Sequence, residues 1–525
     1  MRRLRPVIVI ALAALVASCT IQIGTDQRGE LRAGGPEDPG DPTSQGSTTT
    51  FEDLETPEVT VMEEEADDPP PPVDDLPYAE IINRSIESLE IYWAEEFPAV
   101  YGAEYTPVSQ IIPWDPTDLS TLPPCGGQRA DPGAYSQNAF YCLPDDFIGW
   151  DDRGLFPQLY QEFGDAAVAL VLAHEWGHAV QARAEAAGAV LGDLTIALEL
   201  QADCFAGAWT SHVMSGESDV LRLADDDIDE AVAGYLIFRD PLGTSPDDPQ
   251  AHGSAFDRVG AFGDGLRNGV AFCDDLDNLR IAPIRLTRDD VETGGDSPLF
   301  GDPDDPQDNG IFEIMVPDLE FYWEANAPAI LGVSWDQTDD PGWDPVNGVY
   351  DPRAVAALDP ATENVPCQGH EDEVARNIVY CDAEDYVFTD VRGLAQPLHQ
   401  EIGDFSIGML FSNAYGEKAL ALAGIDADPV TTELAADCLA GAWAGDVYLN
   451  TLDQISQTQT PQAPPRDRNI ILSAGDLDEG VAGLVAAQGP ELTRLDVTAF
   501  DRVEAFRTGF FAGVGIDDDP TVCLP

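Results

Sequence analysis

Residues Leu172–Val180 read "LAHEWGHAV", and residues Phe411–Ala419 read "FSNAYGEKA" in the same frame. The match runs outward without a gap: "QEFGDAAVALVLAHEWGHAV" (Gln161–Val180) lies on "QEIGDFSIGMLFSNAYGEKA" (Gln400–Ala419). Further pairs follow in the same order. "SLEIYWAEEFPAVYG" (Ser88–Gly102) returns as "DLEFYWEANAPAILG" (Asp318–Gly332), and "ELQADCFAGAW" (Glu199–Trp209) returns as "ELAADCLAGAW" (Glu433–Trp443). "DIDEAVAG" becomes "DLDEGVAG", and "SAFDRVGAF" becomes "TAFDRVEAF". Most of the chain therefore reads as two copies of one unit.

Two copies make an internal control. Whatever both keep is a requirement of the fold, and whatever only the first keeps is a candidate for chemistry. His174 becomes Asn413, Glu175 becomes Ala414, His178 becomes Glu417, and His252 in "AHGSAFDR" becomes Asp496. The cysteines behave in the opposite way. Apart from Cys19 there are four in each copy: Cys125, Cys142, Cys204 and Cys273, then Cys367, Cys381, Cys438 and Cys523. An even count in a secreted chain predicts disulfides, and four cysteines allow three pairings. We favour Cys125–Cys142 and Cys204–Cys273, with Cys367–Cys381 and Cys438–Cys523 as counterparts. The first of each set closes a short loop, and the second ties a chain end to a helix.

From about residue 165 to 186 the apolar residues and alanines predict an uninterrupted helix. On it His174 and His178 lie one turn apart on one face, which suits two imidazoles on one tetrahedral ion. Glu175 is a quarter-turn round, placed to reach a water at the ion's open position without binding the ion. A third protein ligand is needed, and Glu199 on a following helix is the best candidate. Asp203, a turn later on the same face, is placed to accept a hydrogen bond from a ligand histidine. Glu433 and Asp437 persist in the copy without histidines, so helix packing is the competing account of Glu199 and Asp203. Cys204 as a thiolate ligand is disfavoured, because Cys438 also persists. His252 is either a structural histidine or, since it disappears with the motif, an oxyanion stabiliser or substrate contact. His212 has no such support. "YCLPDDFIGWD" (Tyr141–Asp151) alternates enough to predict a strand. Strands beside the ion in zinc proteases pair with extended substrate, but the counterpart "YCDAEDYVFTD" persists, which makes the strand a feature of the fold. In the second copy Asn413, Glu417 and Glu433 form an oxygen-rich set better suited to calcium than to zinc, with nothing that demands a metal.

The chain has 525 residues, more than one ordinary core, and its 44% hydrophobic content is that of a folded protein. Its 97 acidic residues against 25 basic ones leave a net charge of -72. That surface repels nucleic acid and anionic lipid, and favours solubility and a salty or cation-rich medium. "MRRLRPVIVIALAALVASCT" has a basic start and about a dozen apolar residues, short for a membrane span and usual for a secretory signal. It ends in Val16-Ala17-Ser18-Cys19, like a bacterial lipobox, so Cys19 is the expected lipidated N-terminus and the anchor is lipid alone. The expected segments are a signal at 1–19, a disordered acidic and proline-rich tether at 20–76, a first domain at 77–278, a linker at 279–309 and a second, degenerate domain at 310–525.

"HEWGHAVQ", "ELQADCFAGAW", "FYCLPDD" and "HGSAFDR", in that company, resemble the bacterial neutral zinc metallopeptidase family, a zincin branch, over roughly Pro77 to Asp277. The resemblance implies a zincin-like α+β fold, mainly helical with a small sheet, in two tandem domains of which the second is only a scaffold. It also implies one Zn2+ in the first domain on His174, His178 and Glu199, with Glu175 as catalytic base. Two function classes follow. One is a membrane-anchored, extracytoplasmic zinc peptidase acting on peptide or protein substrates, with a pseudo-enzyme module. The other is a binding or structural surface lipoprotein whose zinc motif is vestigial. The intact motif beside a decayed copy favours the first, since a vestige would have decayed in both. The sequence leaves the oligomeric state open.

Overall fold

The computed structural model describes residues 76–191, 195–246, 248, 251–276, 286, 297–302, 309–335, 367–368, 374–383, 386–459, 470–487, 497–515 and 520–525. The expected signal with Cys19, all of the tether but Leu76, most of the linker and Asp496 lie outside those residues.

The first half runs α1 (Tyr78–Tyr101), β1 (Gln110–Ile111), β2 (Ala139–Cys142), β3 (Phe147–Trp150), α2 (Leu155–Glu162), α3 (Asp165–Ala187), α4 (Thr195–Met214), α5 (Asp225–Phe238), α6 (Ala255–Asn268) and α7 (Val270–Asp274). The second half runs α8 (Ile311–Ile330), β4 (Ile378–Cys381), β5 (Tyr386–Thr389), α9 (Gln396–Glu401), α10 (Asp404–Leu422), α11 (Pro429–Gln459), α12 (Asp476–Ala486) and α13 (Ala499–Gly513). The fold is α+β and mainly helical. A three-stranded sheet of order β1-β3-β2 lies in the first half and a β4-β5 hairpin in the second. Tyr141–Asp151 is not one strand. The residues Leu143 to Asp146 break it into the β2-β3 hairpin, with Cys142 paired to Phe147. Pro144 cannot donate to a ladder, and Asp146 adopts a positive φ of 48° at the turn.

Helix α3 is buried almost all round, from Ala166 to Gln181, as expected of a helix without a polar face. Its first turn is capped from a distance, since Ala166 N donates to Glu230 Oε2 at 3.3 Å. At its other end Gly188, with φ 103°, donates to Ala184 O and Glu185 O and closes the helix. Helix α4 crosses α3 with almost no space between the backbones, because a methyl added at Gly177 would sit 2.8 Å from Ala202 Cα. Helix α6 meets α4 still more closely at Gly265, where an added methyl would sit 1.8 Å from Cys204 O. The Cys204–Cys273 disulfide closes the same corner. Helix α1 packs across this layer, with Ser88 accepting from Trp209 Nε1 at 3.1 Å.

All four expected disulfides are present: Cys125–Cys142, Cys204–Cys273, Cys367–Cys381 and Cys438–Cys523. The main hydrophobic core runs through both halves, and α6 packs on α13 with the Phe256 ring against Phe506 and Phe510. The linker's end is docked rather than loose. Ser297 N donates to Asp404 Oδ2 at 2.7 Å, and Phe300 stacks on Phe312.

Gly177→Ala must push α3 and α4 apart, an overpacking cost of about 1–3 kcal/mol. Thermal melting should show a lowered Tm. Gly234→Ala, whose methyl meets nothing nearer than Phe238 at 3.9 Å, should leave the Tm unchanged or raised. Equal effects from the two would contradict the close-contact account.

Candidate metal centre

The contact between Gly177 and Ala202 decides where the polar side chains go. His174 and His178 flank Gly177 on α3, and Glu199 and Asp203 flank Ala202 on α4. Where the helices touch, these side chains meet in a fully buried space. His174 Nε2 and His178 Nε2 are 3.1 Å apart, and Glu199 Oε2 is 3.3 Å from the first and 3.6 Å from the second. A tetrahedral zinc with bonds of about 2.0–2.1 Å needs donors about 3.3 Å apart, so the three fit one.

The outward side of each imidazole is engaged. His174 Nδ1 lies 2.7 Å from Asp203 Oδ1, and His178 Nδ1 lies 3.0 Å from Gln181 Oε1. Gln181 Nε2 donates to Leu198 O at 2.6 Å and Gln201 Oε1 at 3.1 Å, which turns its amide oxygen towards His178. Gln201 in turn donates to Cys273 O at 3.0 Å. Acceptors at both Nδ1 atoms place the hydrogens there and leave the two Nε2 lone pairs facing Glu199. Neither oxygen of Glu199 has a hydrogen-bond partner. Three electron-pair donors thus converge in a buried space, and only a cation or a proton relieves them.

The electrostatics agree. Burial opposes a charge on His174, yet the Asp203 carboxylate, aided by Glu199, pushes it up to about 10. Burial would also raise Glu199, but His178 and His174 hold it well below the usual carboxylate range. Asp203 is likewise held down against its burial by Arg258 and His174. Arg258 grips it through Nε at 2.8 Å and Nη2 at 2.9 Å, while its Nη1 donates to Phe238 O at 2.8 Å. A metal ion must displace the proton that His174 holds, so apparent metal affinity falls as the pH falls.

Glu175 is buried, and its Oε1 has no hydrogen-bond partner. A small cleft between α3 and α5 opens beside His174, with Leu170, Val171, Tyr235 and Phe238 as apolar walls and Arg258 also lining it. His252 is not one of the three converging donors. Its backbone N donates to Asp240 Oδ2 at 2.8 Å and its Nδ1 lies 3.0 Å from Asp240 Oδ1, which leaves Nε2 for other contacts. His212 pairs with Glu217 at 3.4 Å.

Gln181, Gln201 and Arg258 were not singled out from the sequence as members of the site. For the two glutamines the signal was present: the aligned positions hold Leu420 and Ala435, so both amides go when the histidines go. Arg258 is kept as Arg502, and there it does something else. Arg502 Nε donates to Asp437 Oδ2 at 2.8 Å, and its Nη2 reaches Glu433 Oε1 at 2.8 Å. Asn413 Nδ2 donates to Asp437 Oδ1 at 2.7 Å. One guanidinium thus bonds both carboxylates, while burial still pushes Glu433 and Asp437 above the usual carboxylate range. Among the described residues, Asp404, Asp476 and Glu479 also cluster, but they accept backbone N–H groups from Ser297, Ser473 and Phe405.

Residues 75–276 match the family model described as "Putative neutral zinc metallopeptidase". The chain is 29% identical over 165 residues to the uncharacterized protein Rv2575 of Mycobacterium tuberculosis and, at the same identity and length, to the uncharacterized protein Mb2605 of Mycobacterium bovis. Each alignment covers 27% of this chain and 56% of the relative. The uncharacterized protein YpfJ of Escherichia coli K12 is 33% identical over 150 residues, 25% of this chain and 50% of its own length. The chain thus spans about half the length of the curated relatives it matches. No solved structure matches it significantly.

Gln181→Leu, which installs the second copy's residue, should leave the fold intact and weaken zinc binding about 10- to 100-fold in a chelator competition. Unchanged affinity would show that Gln181 does not orient His178.

Proposed function

We propose that the chain is an extracytoplasmic, membrane-anchored zinc peptidase whose single catalytic site lies in the first half. One observation carries this reading: His174 Nε2, His178 Nε2 and a Glu199 carboxylate without hydrogen-bond partners converge at zinc-donor spacing. The family of residues 75–276 agrees with it. Four disulfides support an oxidising compartment, and Cys19 is the proposed lipid anchor. Among the described residues no helix is long and apolar enough to cross a membrane.

Zinc held by His174, His178 and Glu199 would lower the pKa of water and polarise the substrate carbonyl. Asp203 and Gln181 keep the two rings turned so that their Nε2 lone pairs face inward. Glu175 takes a proton from the attacking water as the new C–O bond forms, and returns it to the nitrogen of the leaving amine as the C–N bond breaks. Burial of Glu175 keeps it from exchanging that proton with bulk solvent. The apolar walls of the cleft beside His174 suit an uncharged substrate side chain. His252, backed by Asp240, is assigned to a substrate contact through Nε2, which donates to the developing oxyanion when the ring is protonated.

The test is a mixed peptide library with wild type and Glu175→Gln. Both should carry one zinc, and the variant should lose cleavage by a factor of about 10²–10⁴. A wild type without zinc, or a variant that cleaves as well as wild type, would return the chain to the class of non-catalytic lipoproteins.

A further inference from the structure

We propose that the second half is a positioning clamp for the metal centre of the first, acting through the peptide groups of Phe256. The proposal rests on the metal-site reading above. Phe256 lies in the first turn of α6, two residues before Arg258. Its N–H donates to Asp478 Oδ1 at 3.0 Å, and its carbonyl accepts from Arg507 Nη1. Both partners belong to the second half, and both are buried. From this pinned turn Arg258 reaches Asp203, and Asp203 holds His174 Nδ1. The other oxygen of Asp478 pairs with Arg239 at 3.2 Å. Arg239 directly follows Phe238, whose carbonyl takes Nη1 of Arg258. One carboxylate of the second half therefore fixes both backbone segments on which the Arg258 guanidinium depends.

The contact is reciprocal. Phe500 N, at the aligned position in the second half, donates to Asp229 Oδ1 of the first half at 3.1 Å. The two halves are thus clasped by matched aspartate-to-helix contacts. Asp478 holds the helix that carries Arg258, and Asp229 holds the helix that carries Arg502. Each accepts the N–H of an aligned phenylalanine, and Asp478, the more deeply buried of the two, also holds Arg239. Only Asp478 leads to a histidine, because Arg502 ends on Glu433 and Asp437. A module without a metal motif is kept, on this account, because the live site's Asp203–Arg258 pair is held in register by it.

The matched aspartates supply the test. In the full chain, Asp478→Ala and Arg507→Met should each weaken zinc binding about tenfold in a chelator competition, whereas Asp229→Ala should stay within about twofold of wild type. Asp478→Ala, which also leaves Arg239 without its carboxylate, should lower Tm at least as much as Asp229→Ala, so the zinc affinity, not Tm, separates the two. If Asp478→Ala does not fold, Arg507→Met decides on the same measurement. Equal weakening by the Asp229 and Asp478 or Arg507 variants, or no weakening by any of them, overturns the clamp. A wild type that binds no zinc overturns the metal reading instead. The clamp is then decided by NMR of the histidine-labelled chain, through the His174 Nδ1–H proton held on Asp203. Faster solvent exchange in Asp478→Ala but not in Asp229→Ala supports it, and equal exchange in the two refutes it.

Discussion

Helices α3 and α4 touch backbone to backbone at Gly177 and Ala202, and the chemistry of the molecule depends on that contact. A side chain at either position larger than the one present would separate the helices by more than the tolerance of a metal site. With the contact closed, residues one turn before and one residue after it on both helices are forced together. These are His174, His178, Glu199 and Asp203. All four are polar, so a helix crossing too close to admit one more methyl is also a place of high electrostatic demand. The alanine-rich sequences of both helices follow from the same constraint, because the flanking contacts have to be small as well.

The same scaffold meets that demand in two ways. Each copy keeps an Asp-Arg pair, Asp203 with Arg258 and Asp437 with Arg502, and each keeps the α4-type glutamate. In the first copy the arginine is occupied by Asp203 and Phe238 O, so Glu199 is left facing two imidazoles. In the second, Asn413 replaces the first imidazole, and Arg502 is bonded to the glutamate as well as the aspartate. A buried carboxylate left unpaired would cost several kcal/mol. In the second half the arginine common to both sequences reaches the glutamate as well as the aspartate. This is why Glu433 and Asp437 persist without histidines: they are needed there as partners of Arg502.

Much of this was legible in the chain. The duplicated blocks gave the order of the helices, and the cysteines that survive in both blocks pair as expected. The loss of His174, Glu175 and His178 together marked the donor helix, and the search for a third donor led to Glu199. Three features were less legible, each for a physical reason. The turn at Leu143 to Asp146 was masked by the apolar alternation on either side of it, although Pro144 was a warning. Gln181 and Gln201 are uncharged and lie outside the usual ligand alphabet, so only comparison of the copies exposes them. The path from Asp478 through Phe256 to Arg258 runs through backbone groups, which carry no signature in the residue letters.

On the function proposed above, His174, His178 and Glu199 form the zinc site of the first half, and Arg502 stands where a metal would at its counterpart. Metal counted per chain by mass spectrometry after exhaustive dialysis against zinc-buffered solution tests it most directly. One zinc per wild-type chain and none in Glu199→Ala is the expected result. Two zinc ions per chain, or a zinc retained after Glu199 is removed, would contradict it.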